Sequence, residues 1–229
     1  MKTYKIAIVG LGATGTVLAA ALLRKDPGTI LVGRSNDLGK TLVKDGIRVS
    51  GEISHVVPVE NYCSRIGDLG KYSPDLVFIS TKTCDLARVL DELETVFKPG
   101  TKIVSTHNGL GTEDLIAERF GADSALRMSL NLGVAQIGPG QVKTAFFNPP
   151  NHLGAVTPQN HKVGEDIAGL FTDAGLDTVY VDDINLHVWK KMVMKCTMAS
   201  ICAVTGKTIR EALHFPPTRV IADACFKEI

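Results

Sequence analysis

The stretch "IVGLGATGTVLAAALL", residues 8–23, constrains this chain more than any other, because it spaces Gly10, Gly12 and Gly15 as G-x-G-x-x-G between two apolar segments of different kind. The preceding "YKIAIVG" is short, apolar and β-branched, as a buried parallel strand is. The following "TGTVLAAALLRK" carries the alanine and leucine of a packed helix. In a strand, turn and helix in that order, Gly10 permits the tight turn, Gly12 lets the backbone pass close to a pyrophosphate, and Gly15 lets the helix lie against the strand. Backbone amides and the helix dipole then face phosphate groups, so the spacing predicts a dinucleotide site.

The end of the second strand discriminates between dinucleotides, since an acidic residue about 20 residues after the glycines holds the ribose hydroxyls of NAD. Here "TILVGRSND" ends in Gly33, Arg34 and Ser35. An arginine can grip a 2′-phosphate through its fork of donors, where an aspartate would repel it, and the expected cofactor is NADPH. The alternative for Arg34 is a solvated surface arginine with Asp37 nearby.

A formal net charge of +1 gives no electrostatic reason to expect nucleic acid or an anionic membrane as partner, so a small molecule is expected. Cys63, Cys84, Cys196, Cys202 and Cys225 are odd in number and lack C-x-x-C spacing, which fits reduced thiols in a cytoplasm, each read as a small buried apolar residue. The apolar run Val17–Leu23 is too short to span a bilayer and follows a glycine turn rather than a basic segment, so neither an anchor nor a signal peptide is expected.

Further along, "DLVFIST" (75–81) reads as a buried strand, "LARVLDELETVF" as a helix and "TKIVSTHNGLG" (101–111) as another strand ending in a polar glycine turn. That alternation implies an α/β, doubly wound sheet. Between these units "GIRVSGEISHVVPVE" alternates apolar and polar residues around Gly51, as a small antiparallel hairpin does. Ligands of open parallel sheets collect beyond the carboxyl ends of the strands, which singles out Thr81 and Lys82 after one strand and His107 and Asn108 after the next. Lys82 is either an exposed lysine at a helix start or a cation kept there by an anion, since its charge opposes the helix dipole. More strands, joined at Gly138, Pro139 and Gly140, precede the helix "KVGEDIAGLFTDAG" and the edge strand "DTVYVDD". A Rossmann-type domain is therefore expected over residues 1–183, with residues 184–229 packing on it.

The segment "INLHVWKKMVMKCTMASICAV" has no proline or glycine and predicts one helix of about 30 Å. Lys191, Lys195 and Ala199 fall at i, i+4 and i+8, while Trp189, Met192, Val193 and Cys196 supply apolar contacts elsewhere around it. Two ammonium groups one turn apart repel, so a lowered pKa or an intervening anion is expected, unless both lysines simply reach solvent.

The set "GLGATG", "GRS", "STK", "HNGLG" and "WKKMVMKCTMASICAVTG" resembles, in order and across almost the entire chain, the ketopantoate reductase family. The resemblance implies a two-domain enzyme, with a Rossmann-type sheet followed by a helical domain, that transfers hydride from NADPH to the ketone of a 2-keto acid, with ketopantoate as substrate in pantothenate biosynthesis. By the same resemblance Lys191 is the general acid and Asn108 orients the nicotinamide side and the substrate. Leu11, Gly12, Ala13, Thr14 and Gly15 would hold the pyrophosphate, Arg34 the 2′-phosphate, and Lys82 would lie near the reacting end of the cofactor. No metal is required, because a positioned ammonium can stabilise and protonate the oxygen on which charge develops. His107 is expected to shape a turn.

The chain departs from the family at two points. Where the family places asparagines one and two turns after its catalytic lysine, this sequence has Lys195 and Ala199. Lys195 would then pair with a substrate carboxylate, and Ala199 would leave room for a different group. The helical domain also continues further in the family, which implies a C-terminally truncated member whose last helix, opened by Pro217 and Thr218, leaves Val220, Ala224 and Phe226 uncovered unless another subunit shields them, and favours a homo-oligomer or marginal stability. Two other readings stay open: a non-catalytic NADPH-binding protein, and a related reductase acting on another keto acid.

Overall fold

In chain order the first 184 residues contain β1 (Ile6–Val9), α1 (Ala13–Leu23), β2 (Ile30–Val32), α2 (Asn36–Asp45), β3 (Ile47–Gly51), β4 (His55–Val57), β5 (Asn61–Cys63), β6 (Leu76–Ile79), α3 (Leu86–Glu94), β7 (Lys102–Ser105), α4 (Thr112–Phe120), β8 (Ala125–Ser129), β9 (Leu132–Gly138), β10 (Gln141–Phe147), β11 (Asn151–Ala155), α5 (His161–Asp173) and β12 (Thr178–Tyr180). The computed structural model describes residues 4–229. They divide into two units, one ending at Ile184 and one running from Asn185 to Ile229.

The apolar runs form a sheet buried on both faces because side chains alternate along each strand. Ile6 and Ile8 of β1 and Phe78 of β6 join one core, whereas Ala7 and Val9 of β1 and Val77 and Ile79 of β6 join another. The strand order is β12-β11-β8-β7-β6-β1-β2-β5, parallel from β5 through β8, with β11 antiparallel to β8. The chain passes from β1 to one side through β2 and β5, then returns to the other side at β6. That reversal opens a crevice beyond the carboxyl ends of β1 and β6.

Helix α1 is buried along Gly15–Leu23, with no solvated face. Its surroundings explain this: one side packs on the main sheet, and the other on a second sheet of order β4-β3-β10-β9. Leu18 and Leu22 are fully buried, and each contributes about 2 kcal/mol through the apolar surface it removes from water. The hairpin expected around Gly51 is present as β3 and β4, but β3 also pairs in parallel with β10, more than 90 residues away. Local periodicity carries no signal for that pairing. On the other face of the main sheet, Leu86, Val89, Leu90 and Leu93 of α3 and Ile116 of α4 cover the second core.

The second unit contains α6 (Ile184–Met194, beginning at the last residue of the first unit), α7 (Ser200–Thr205), α8 (Ile209–His214) and α9 (Pro216–Glu228). The single uninterrupted helix expected from Ile184 to Val204 is corrected here. Between α6 and α7 the chain widens into a π-helical turn over Lys195–Ala199, so the i, i+4, i+8 line through Lys191, Lys195 and Ala199 is not that of a regular α-helix. Thr197 supplies a cause, since its hydroxyl donates to the carbonyl oxygens of Val193 at 2.9 Å and Met194 at 3.3 Å and competes for them with the main chain. Trp189, 51% exposed, and Cys196, exposed, are less covered than the apolar contacts expected of them imply, while Ile184 and Val188 are the buried residues of α6.

Met198, Ile201, Ala212 and Ala222 make a small core for this unit. Thr208 and Glu211 form a reciprocal capping box at the start of α8, and α9 opens at Pro216, one residue earlier than expected. Val220, Ala224 and Phe226 are exposed, as expected of them. Of the cysteines Cys63 is buried, but Cys84 and Cys196 are exposed, against the expectation of burial for each. Among the described residues no helix is long and apolar enough to cross a membrane.

Candidate functional site

The parallel register sets the carboxyl ends of the central strands side by side. Val9 aligns with Val32 on one side and Ile79 on the other, and Ile79 aligns with Ser105. The loops that follow therefore leave the sheet at one edge: Gly10–Gly12, Gly33–Ser35, Ser80–Lys82 and Thr106–Asn108. Every cofactor-site candidate of the first unit lies on one of these loops or, like Ala13, Thr14 and Gly15, in the first turn of α1.

The glycine loop has the close contacts its spacing requires. Gly10 adopts φ +96°, and a Cβ there would stand 2.8 Å from both the amide nitrogen and Cγ2 of Thr81. At Gly15 a Cβ would overlap the carbonyl oxygen of Gly10 and touch Ser80. At Gly12 a Cβ would meet nothing within 4 Å. Gly12 also caps α1 without a side-chain acceptor, and no acidic residue occupies the first turn, so the amides there remain available to an anion. Leu11 is buried beneath the loop, and Ala13 and Thr14 are half-buried.

Arg34 follows β2 and is exposed, with no ion pair among the described residues. Asp37 pairs instead with Lys40, at 3.3 Å. The turn is fixed from beneath by Tyr62 of β5, which sequence reasoning did not single out. Its hydroxyl donates to the carbonyl oxygen of Ser35 at 2.6 Å, and its ring occupies the space that a side chain at Gly33 or Gly39 would need. Ser35 in turn caps α2 by accepting from the Leu38 amide at 3.2 Å. An open helix terminus and a free guanidinium on adjacent loops fit a dinucleotide with a 2′-phosphate.

Lys82 is exposed and precedes the short 3-10 turn Thr83–Asp85 that leads into α3. Asn108 is exposed on the next loop. Beneath it lies a buried polar network that sequence reasoning also missed. Arg127 of β8, 1% exposed, donates through Nη1 to the Glu113 carboxylate at 2.6 Å and to the Thr112 hydroxyl. Through Nη2 it donates to the carbonyl oxygens of His107 and Gly109, each at 2.6 Å.

The hydroxyls continue the network in one direction, because each carries a single proton. Thr112 donates to Glu113, so Ser105 donates to Thr112, His107 Nδ1–H donates to Ser105, and Thr81 donates to His107 Nε2. His107 is thus buried and neutral: burial, then the nearby Arg127 charge, push its pKa down to about 4. Its ring lies between Ser105, at 3.0 Å, and Thr81, at 3.4 Å. Burial likewise lowers the Arg127 pKa, against the pull of Glu113.

In the second unit Lys191 on α6 and Lys195 in the π-helical turn are both half-buried. A groove of about 480 Å³ lined by His161, Glu165, Tyr180 and Asp182 lies beside β12. It is five strands from β1, roughly 24 Å across the sheet, and takes no part in this site.

Residues 6–158 match the sequence profile of a family described as ketopantoate reductase PanE/ApbA. A 2-dehydropantoate 2-reductase of Streptococcus pyogenes serotype M3 is 26% identical over 207 residues, covering 89% of this chain and 65% of that protein. The chain therefore spans less than two thirds of that relative. A crystal structure of 2-dehydropantoate 2-reductase from Geobacter metallireducens GS-15 matches with a TM-score of 0.85 at 25% identity, over 95% of this chain and 71% of the other. A D-mandelate dehydrogenase in ternary complex with NADH and anilino(oxo)acetate shares the fold, with a TM-score of 0.84 at 20% identity over 95% of this chain and 70% of that one.

Proposed function

The chain belongs to the ketopantoate reductase family, and from that premise we propose that it carries out the NADPH-dependent reduction of a 2-keto acid, 2-dehydropantoate to pantoate. The observation that carries the cofactor half of this reading is the pairing of an uncapped α1, open at Gly12, with an exposed Arg34 where an acidic residue would mark NAD.

A bound NADPH supplies a hydride to the carbonyl carbon of the keto acid. The amides of Leu11–Gly15 bind the pyrophosphate and Arg34 the 2′-phosphate, while Lys82 adds a cation at the mouth of the crevice. The Asn108 side chain orients the nicotinamide and the substrate. Negative charge develops on the carbonyl oxygen, and the Lys191 ammonium donates a proton to it. Lys195 pairs with the substrate carboxylate, and Ala199 leaves its neighbourhood open to a group of another size.

The test is loss of NADPH absorbance on adding ketopantoate, with Lys191→Ala as control. Turnover in the wild type, reduced about 10²- to 10⁴-fold in the variant with NADPH affinity kept, supports the reading. NADPH binding without turnover on any of a panel of 2-keto acids would replace it with a non-catalytic NADPH-binding protein. The lysine at position 195 favours a second reading within the same chemistry, a reductase for a different 2-keto acid, and turnover of another panel member in preference to ketopantoate would establish that one.

A further inference from the structure

We infer that Arg127 is the positioning residue for Asn108: its guanidinium grips the chain on both sides of that residue and holds the Asn108 side chain where the reacting groups meet it. The inference rests on the reading that Asn108 faces the nicotinamide and the keto acid.

Asn108 stands in "HNGLG", a loop with glycines at 109 and 111, the second of them at φ +72°. Such a segment has much conformational freedom to lose and no side chain at either glycine to pack. Asn108 itself is exposed, so burial does not fix it. What fixes it comes from below. The carbonyl oxygens of its two neighbours, His107 and Gly109, both accept from Nη2 of Arg127 at 2.6 Å. One nitrogen thereby sets the orientation of the peptide group that precedes Asn108 and of the one that follows Gly109, so the chain is held at both ends of the Asn108–Gly109 pair.

The guanidinium can do this only because its charge is matched where it is buried. Glu113, 4% exposed in the first turn of α4, accepts from Nη1 at 2.6 Å. A carboxylate in that turn is also favoured by the helix dipole. Register holds the other end, since Arg127 pairs across β8 and β7 with Ser105, the last residue of the strand that carries the loop. A lysine at 127 would keep the charge and lose the planar fork that reaches Glu113 and both carbonyls at once.

Arg127→Lys, Asn108→Ala and the double variant test this through three readouts: backbone order parameters by NMR relaxation, NADPH affinity by fluorescence, and kcat separated from KM. In Arg127→Lys, order parameters over residues 107–111 are expected to fall from about 0.85 to below about 0.6 while β1 and β6 stay near the rigid value. NADPH affinity is expected to stay within a few-fold, and kcat to fall about tenfold or more, since small displacements of an orienting group cost that much. The double variant should be no slower than Asn108→Ala alone, because Arg127 acts through Asn108.

Unchanged order parameters at 107–111, or a double variant whose kcat loss is the product of the two single losses, would overturn the inference. Should Arg127→Lys not fold, Glu113→Gln keeps the shape and an acceptor for Nη1 while removing the countercharge, and the same selective fall in order parameters is required of it. If the wild type turns over no keto acid, the functional reading fails on that result, and the order parameters alone decide whether Arg127 holds the loop.

Discussion

Gly15 lies so close to Gly10 that a methyl group on it would overlap the Gly10 carbonyl oxygen, whereas a methyl group on Gly12 would meet nothing within 4 Å. The two glycines of one motif thus serve different ends, and alanine substitutions separate them. Gly15→Ala is expected to destabilise the fold by about 1–3 kcal/mol, through overpacking between α1 and β1. Gly12→Ala should leave the melting temperature within a few degrees of the wild type and weaken NADPH binding about tenfold or more, because the methyl group enters only the space a pyrophosphate would use. Thermal melts and cofactor titrations on both variants check the pair.

On the proposed reading Arg34 sets the choice between NADPH and NADH. Asp37 lies 3.3 Å from Lys40 and makes no ion pair with Arg34, so the guanidinium would be open to a 2′-phosphate. Replacing Arg34 by alanine should weaken NADPH about 10- to 100-fold, the worth of a charge-assisted bidentate contact, and leave NADH nearly unchanged. Equal losses for both cofactors would place Arg34 elsewhere than at the 2′-phosphate.

Tyr62 supports the same turn through its hydroxyl on the Ser35 carbonyl. Tyr62→Phe keeps the ring against Gly33 and Gly39 and removes that bond. A stability cost of about 1 kcal/mol is expected, together with a few-fold rise in the dissociation constant for NADPH and none for NADH. Denaturant melts and titrations with the two cofactors measure both effects.

Acid lability follows from His107. Its pKa is about 4 in the fold against 6.5 for the free side chain, so between those values the unfolded chain binds the extra proton. Its contribution is therefore complete above pH 6.5, declines as the pH falls, and is gone below about 4, amounting to roughly 3 kcal/mol in all. His55, also lowered by burial and by Arg24, adds a loss of the same sign. The difference between the wild type and His107→Gln isolates the His107 share: the variant's stability should fall less steeply from pH 7 to pH 4.5. Parallel slopes would show that His107 titrates normally.

The parts of this protein written in local pattern were legible in its sequence. The β1–α1 turn announced itself through three glycines, and the strand ends carrying Arg34, Lys82 and Asn108 through apolar runs that stop at polar residues. What supports those loops was not legible, because it comes from strands distant in sequence. Arg127 lies in "ALRMS" among apolar residues and reads as one charge in a strand; only the β7–β8 register brings it under Asn108. Tyr62 reaches the Arg34 turn only through the β2–β5 pairing. The π-helical turn at Lys195 escaped for another reason: a widened turn keeps the composition of the helix it interrupts, and the competing hydroxyl of Thr197 is one residue among many that helices accept.

The burial of α1 on all sides reaches beyond packing. A helix held between two sheets cannot tilt, so the direction in which its first-turn amides point is settled by residues that never approach a phosphate. Val49 of β3 and Val142 of β10, in the sheet that covers the outer side of α1, are two of them. A search for variants with altered affinity for the cofactor would therefore return positions in that outer sheet beside positions in the glycine loop. The aim of the helix is a property of the layer behind it.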